Sequence, residues 1–299
     1  MGDPDLDPLT IVVGAGTAGL SCARVLADAG RRVLVVDRAG RVGGRTATRQ
    51  FQGQPIDHGA PFFHGRDPEF LAALDATPGS RVEGWPRVVA GPGSPREPQG
   101  FAEDERRVAF AEGASTFSKH MARELDLRLE SRVVAIDVVG PRLRVRLHER
   151  EALAASNLVL ALAAEQSLGL LGTLGDASDE VLGMRDLLSR AESQPCLALF
   201  AVYPRDARRP PWDVYHPEES SILWRVVHDS SKRPEGGFLT MVFQARPAWS
   251  RQHISHRELW PVAILSEAVR LLGSWAARPR FLRPHRWRYA AINLSLIHI

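Results

Sequence analysis

The spacing of apolar positions changes several times along the chain, and each change predicts an element. Residues 9–13 form a short apolar run rich in β-branched side chains, the pattern of a buried strand. The glycine-rich turn Gly14-Ala15-Gly16-Thr17-Ala18-Gly19 follows. Residues 18–29 then place Leu20, Ala23, Leu26 and Ala27 on one helical face, and Gly30 stands where a helix C-cap falls. Residues 32–36 predict a second buried strand, closed by Asp37. The segment 78–100 is rich in Pro and Gly and predicts a loop, whereas 115–125 predicts a helix with Ser115 as its N-cap. Residues 133–138 and 143–147 flank Gly140-Pro141 as a hairpin, and 158–162 predicts another buried strand. A second domain opens with a strand at 196–203 and continues with strands within 214–227 and 237–243. Residues 258–273 are apolar at helical spacing. The order strand, glycine turn, helix, strand predicts an α/β fold with a Rossmann-like domain, followed by an α+β domain on a mixed sheet.

A chain of 299 residues accommodates about two domains. The formal net charge is +3, and of 38 basic Lys and Arg residues only Lys119 and Lys232 are lysines. The arginines are scattered among acids, which argues against a nucleic-acid surface. No apolar run is long enough for a membrane span, and the start lacks a signal-like pattern. Cys22 and Cys196 do not read as a disulfide framework, so the cytoplasm is the expected location. His253 and His256 share helical spacing but no further ligands accompany them, so no metal is expected.

The glycine turn carries the chemistry. Gly14 permits the tight turn, Gly16 leaves room for a pyrophosphate at the backbone, and Gly19 lets the helix pack closely on the strand. Thr17 and Ala18 open the helix, whose N-terminal N–H groups favour phosphate. Asp37 stands where a carboxylate meets a ribose hydroxyl. The glycine turn alone does not choose between NAD and FAD.

The stretch from Asp37 and Arg38 to Gly43-Gly44-Arg45 resembles the corresponding segment of flavin amine oxidases. That resemblance implies FAD, held non-covalently, with the glycines beside the cofactor and Arg45 near its pyrophosphate. Asp57-His58-Gly59-Ala60 is similar to the family's Asp-x-Gly-Ala segment, which implies that Asp57, Gly59 and Ala60 bring backbone close to the isoalloxazine ring. His58 sits at the variable position and receives no role; His64 reads as a surface loop residue. Val133 matches a strand whose first Val holds the adenine through its backbone. Residues 158–162 match a strand that usually ends in Ala-x-Pro, but Ala163 replaces the proline.

Within the superfamily, short segments from 196 to 290 resemble renalase-type proteins, among them Ser230-Ser231-Lys232 and His285-Arg286-Trp287-Arg288. This resemblance implies oxidation of dihydronicotinamide isomers to NAD(P)+ by hydride transfer to flavin, with O2 as acceptor and H2O2 as product. Trp287 and Arg288 are the candidate flavin neighbours, although a Trp in an apolar strand more often belongs to the core. Trp224 and Trp249 have the same ordinary reading. The rival is an amine oxidase with an amine substrate. Many such relatives place a Lys near the flavin, and neither Lys119 nor Lys232 lies in a segment that matches that position. A non-catalytic flavin-binding protein is the third reading. The expected domains are 7–76 with 106–168 for FAD and 77–105 with 169–291 for substrate and connections. Residues 292–299 read as a non-native tail. The family's FAD domain has a closing segment that the chain lacks, so a truncated, poorly soluble and inactive protein with weak flavin retention is expected.

Overall fold

A computed structural model describes residues 9–91, 104–149, 151–175, 177–234 and 236–292. The described residues form two compact units, one drawn from Met1–Arg45, Ser118–Ser193 and Ile292–Ile299, the other from Thr46–Phe117 and Gln194–Ala291.

The first unit is built on four parallel strands in the order Asn157–Leu160, Thr10–Val13, Val33–Val36, Asp126–Arg128. The apolar run at 11–13 has a direct cause, because successive side chains feed opposite faces of a covered sheet. Val12 and Val35 pack with Leu20 and Ala23 of the helix Thr17–Asp28. Ile11 and Val13 pack on the other side with Ile136 and Val145. Those two residues belong to an antiparallel sheet of Val133–Val139, Arg142–Leu147 and Ala152–Ala155, whose first turn is the hairpin expected at Gly140-Pro141. Gly30 adopts φ 75°, the left-handed conformation that ends the helix.

The second unit centres on a six-stranded mixed sheet. Its order is Phe281–Ile292, Ser193–Tyr203, Leu239–Ala245, Leu223–His228, Val214–Tyr215, Val89–Ala90. The pairing of 214–215 with 89–90 is parallel, while 203, 239 and 223 lie in antiparallel ladders. One face carries Leu199, Tyr203, Met241 and Phe243 onto Trp260 and Ile264 of the helix Leu259–Leu272. The opposite face carries Phe200, Val202 and Val242 onto Ile56, Phe62 and Trp85. Ile56 comes from the hairpin Thr48–Phe51 with Gln54–Asp57. A three-stranded sheet of Phe63–Gly65, Arg106–Phe110 and Arg81–Glu83 completes that layer.

Several elements differ from the sequence expectation. The helix at 115 stops at Met121 rather than 125, because Glu124 adopts φ 59° and turns the chain into the strand at 126. The loop expected at 78–100 contains two short strands, and its residues 92–100 lie outside the described residues. Four helices, Pro68–Ala76, Ala164–Leu171, Asp179–Ser189 and Pro247–His253, occupy segments where none was expected. The borders of the compact units also differ from 76/77, 105/106 and 168/169. Residues 46–76 and 106–117 share the core of the six-stranded sheet, whereas Leu170 packs into the core of the parallel sheet. Apart from Ile292, the tail expected at 292–299 lies outside the described residues. No described helix is long and apolar enough to cross a membrane.

Candidate functional site

In the first unit the loop after the first strand gathers the residues singled out by sequence. Gly14 has φ 117°, and a Cβ there would stand 2.4 Å from the Ala161 carbonyl oxygen. A Cβ on Gly19 would stand 1.9 Å from the Gly14 carbonyl oxygen, so the helix reaches the strand only because both are glycine. Gly16 is different: a Cβ there would meet nothing within 4 Å. Its backbone is extended, at φ −77° and ψ 173°, and Thr17 follows as the first residue of the helix. The fold itself does not require this glycine. An open backbone at a helix N-terminus is an arrangement that can admit a phosphate.

Gly43 runs beside the loop, bridged to Gly16 as a parallel partner, and its N–H donates to the Ala15 carbonyl at 2.8 Å. A Cβ on Gly44 would come within 3.2 Å of Gly16 Cα. Arg45 follows in a short 3-10 turn and is exposed, as are Ala18 and Arg38. Asp37 Oδ2 accepts from the Ala15 N–H and Oδ1 from the Ala39 N–H, both at 2.7 Å. A carboxylate has about four lone-pair directions, so acceptor capacity remains for a hydroxyl. Next to Asp37, a cavity of about 380 Å3 is lined by Arg38, Arg128, Glu130, Ser131 and Arg132 among others. Val133 follows directly, buried, and opens the strand paired with Leu147. The cavity is also lined by Leu147, His148, Glu149 and Glu151.

The second unit holds Asp57, His58, Gly59 and Ala60 in a bend with a dense set of partners. Asp57 Oδ1 accepts from Thr48 Oγ1 at 2.6 Å and from the Ala114 N–H at 2.9 Å. Asp57 Oδ2 accepts from Lys232 Nζ at 2.8 Å. Lys232 also donates to Asp229 Oδ1 at 2.7 Å, and Arg233 Nη1 donates to Asp229 Oδ2 at 2.8 Å. Asp57, Asp229 and Lys232 are buried. Burial alone would raise the Asp229 carboxyl, but the Arg233 and Lys232 charges hold it below the usual carboxylate range. The Lys232 ammonium also lies 4.8 Å from the Trp85 ring centroid.

Trp287 Nε1 donates to the His58 carbonyl at 3.0 Å, and its ring centroid lies 5.2 Å from that of His58. His285 packs 4.7 Å from His58 and 4.2 Å from Trp287. Burial, then His285 and Arg49, lowers His58 to about 3. Burial, then Arg49, Arg283 and Arg286, lowers His285 to about 4. Both rings are neutral at physiological pH, and His58 Nδ1 is buried with no hydrogen-bond partner among the described residues.

Sequence reasoning paired Trp287 with Arg288, and the structure separates them. Both lie on one strand, where neighbours point to opposite faces. Phe281 belongs to the cluster on the Ile56 face, so Trp287 shares that face. Arg286 Nη1 donates to the Ile254 carbonyl on the other side, and exposed Arg288 lies on that side with it. Sequence reasoning set Lys232 aside and gave no role to Gln244 or His285. The i, i+3 and i+4 spacing of Asp229, Lys232 and Arg233 is legible, but the link to Asp57 spans 175 positions and exists only in the fold. His64 is paired with Glu105 at 2.5 Å on the surface. His253 Nδ1 lies 2.8 Å from the Trp249 carbonyl, and among the described residues no group of three or more acids, histidines or cysteines is arranged to hold a metal.

A family model described as NAD(P)-binding Rossmann-like domain matches residues 12–77. Putrescine oxidase of Kocuria rosea is 35% identical over 106 residues, which cover 36% of this chain and 22% of that protein. Polyamine oxidase 2 of Arabidopsis thaliana is 45% identical over 58 residues, covering 19% of this chain and 12% of its own length. The matched stretches therefore span well under two thirds of these curated relatives. Cyclohexylamine oxidase from Brevibacterium oxydans IH-35A has a similar fold, with a TM-score of 0.72 at 16% identity over 95% of this chain and 86% of that one. Wild-type putrescine oxidase bound to putrescine gives a TM-score of 0.67 at 16% identity, over 93% and 84% of the two chains.

Proposed function

We propose that this chain belongs to a flavin-dependent oxidoreductase of the amine-oxidase type that holds FAD non-covalently. The glycine loop carries this reading. Gly14 and Gly19 are demanded by packing within the fold, whereas Gly16 faces open space at a helix N-terminus beside Gly43 and Gly44. Gly16 leaves the backbone open to the pyrophosphate, with the first N–H groups of the helix at Thr17 and Ala18 as donors. Arg45 adds a guanidinium fork for phosphate oxygens. Asp37 accepts from a ribose hydroxyl, Arg38 flanks the adenosine cavity, and Val133 offers its backbone to the adenine. Asp57, Gly59 and Ala60 supply backbone beside the isoalloxazine ring. When bound, the flavin supplies the hydride-accepting chemistry, and the protein binds, orients and shields it.

For the substrate, we infer a dihydronicotinamide isomer of NAD(P)H, oxidised to NAD(P)+ with O2 as acceptor and H2O2 as product. Arg49 and Arg283 make the surroundings of His285 electropositive. The nearby carboxylates, Asp57 and Asp229, are already occupied by Lys232 and Arg233. Such a setting repels a protonated amine and attracts an anionic dinucleotide. An amine substrate is the second reading. It is favoured by the names of the relatives and by Lys232, which the fold brings onto Asp57 despite its distance in sequence. Anaerobic mixing of the FAD-loaded chain with dihydronicotinamide isomers, putrescine and benzylamine separates the two. Bleaching by a nicotinamide isomer alone is expected; bleaching by an amine alone reverses the assignment.

A further inference from the structure

The hairpin of Val133–Val139 and Arg142–Leu147 in the first unit ends in an apolar tip. Val138 is 64% and Val139 44% exposed. A lone exposed valine needs no explanation, but these two adjoin each other and the exposed turn Gly140-Pro141. Gly140 adopts φ 58°, and the ring of Pro141 locks its φ at about −65°, the pairing that a II′ turn takes. The tip is therefore short and stiff. Pro141 has no N–H, and Val139 pairs with Arg142 in the ladder, so the backbone leaves few polar groups to desolvate.

Alternation sets how the valines stand. Val138 shares the inner face with Ile136, and Val139 shares the outer face with Asp137. The apolar surface thus wraps around the tip from both sides rather than forming one flat patch.

The outer face carries charge just behind the tip. Arg142, Arg144 and Arg146 stand on it at alternate positions, opposite Val139, Asp137 and Ala135. Asp137 is the one acid of these two strands, and it accepts from Arg146 Nε at 2.9 Å. Arg142 and Arg144, the two nearer the tip, are exposed and have no hydrogen bond or ion pair among the described residues. On the third strand, Ala152 and Ala154 stand opposite Arg146 and Arg144 and add no charge.

An apolar end with a cationic row behind it favours one kind of partner. A protein surface has a fixed contour and meets a projecting hairpin from one side. A bilayer is fluid and surrounds a tip that is apolar on both sides, while anionic headgroups attract the arginines behind it. The long arginine stems let each guanidinium reach the headgroups while the strand lies against apolar surface.

We propose that the hairpin tip at 138–144 is a docking site for an anionic lipid bilayer, with Val138, Val139 and Pro141 entering the headgroup boundary and Arg142 and Arg144 pairing with lipid phosphates and carboxylates. Two small apolar side chains and two charges make this a reversible attachment. The site is independent of the cofactor and substrate readings.

The test is co-sedimentation of the full chain with vesicles of phosphatidylcholine alone, and of phosphatidylcholine and phosphatidylserine in equal parts. The unsubstituted chain binds the anionic vesicles and not the neutral ones, and raising the salt from about 0.1 M to about 1 M releases it. Arg142→Gln/Arg144→Gln binds about 25-fold more weakly, at about fivefold for each arginine. Val138→Ser/Val139→Ser binds about tenfold more weakly. Arg251→Gln/Arg257→Gln removes the same charge from exposed positions in the second unit and keeps binding within about twofold. Urea midpoints confirm folding, and Val138→Ser alone, at the most exposed position, carries the test if a pair unfolds. Failure of the unsubstituted chain to bind anionic vesicles overturns the proposal, and so does equal weakening in Arg251→Gln/Arg257→Gln. Binding to poly-glutamate in place of vesicles assigns the face to an acidic protein and overturns it too.

Discussion

Gly16 and Gly19 belong to one motif and do opposite jobs. A methyl on Gly19 collides with the Gly14 carbonyl, whereas a methyl on Gly16 meets nothing. Gly19→Ala is expected to destabilise the FAD-free chain by about 1–3 kcal/mol through overpacking. Gly16→Ala should leave its urea midpoint unchanged and weaken FAD binding. A loss of stability in Gly16→Ala would mean that the loop relies on this glycine for folding. The packing role of Gly19 was legible in sequence because the glycine spacing encodes it. Lys232 was not, because its partner Asp57 is remote along the chain. Lys232→Met removes the ammonium that Asp57 and Asp229 share and should cost about 3–5 kcal/mol. The double variant Lys232→Met/Asp229→Asn should recover part of that loss, measured by urea unfolding.

The buried histidines give the molecule an acid limit. His58 is lowered to about 3 in the fold, against an ordinary value of 6.5. Between those values the unfolded chain binds a proton that the native ring refuses. Stability is therefore fully present above about pH 6.5 and falls as the pH drops toward 3, by about 1.4 kcal/mol per pH unit for this group. His58→Phe should flatten the dependence of the unfolding free energy on pH in that window. An identical slope in the variant would show that His58 is not the group responsible.

At the scale of elements, alternation decides what a side chain can reach. The strand Phe281–Ile292 was not recognised in the sequence, so Trp287 and Arg288 were taken together; as strand neighbours they face opposite ways. Trp287→Phe removes the donor to the His58 carbonyl and should cost about 1 kcal/mol or more. Arg288→Ala should stay within about 0.5 kcal/mol, as exposed positions do. Equal costs in thermal unfolding would contradict this division. The helix Pro68–Ala76 had a readable start, since Asp67 accepts from the Phe70 N–H at 2.8 Å and Pro68 is its first residue. The helix Asp179–Ser189 had little to read, because none of its residues is buried and its apolar positions follow no core.

At the scale of the whole molecule, each unit takes residues from separated stretches of the chain. Three strands of the parallel sheet were visible in sequence as apolar runs beside a glycine turn, whereas the fourth, Asp126–Arg128, has a charged residue at each end and was not. The edges of the second unit were not, because residues 48–57 and 106–110 are short, partly polar strands that find their cores only against distant partners. The central claim is that the loop at 14–19 exists to carry a flavin dinucleotide. Fluorescence titration of FAD against the full chain and against Gly16→Val tests it directly, with urea unfolding confirming that both are folded. The account predicts saturable binding by the unsubstituted chain and its loss in Gly16→Val at unchanged stability. Equal binding by both chains, or none by either, contradicts it.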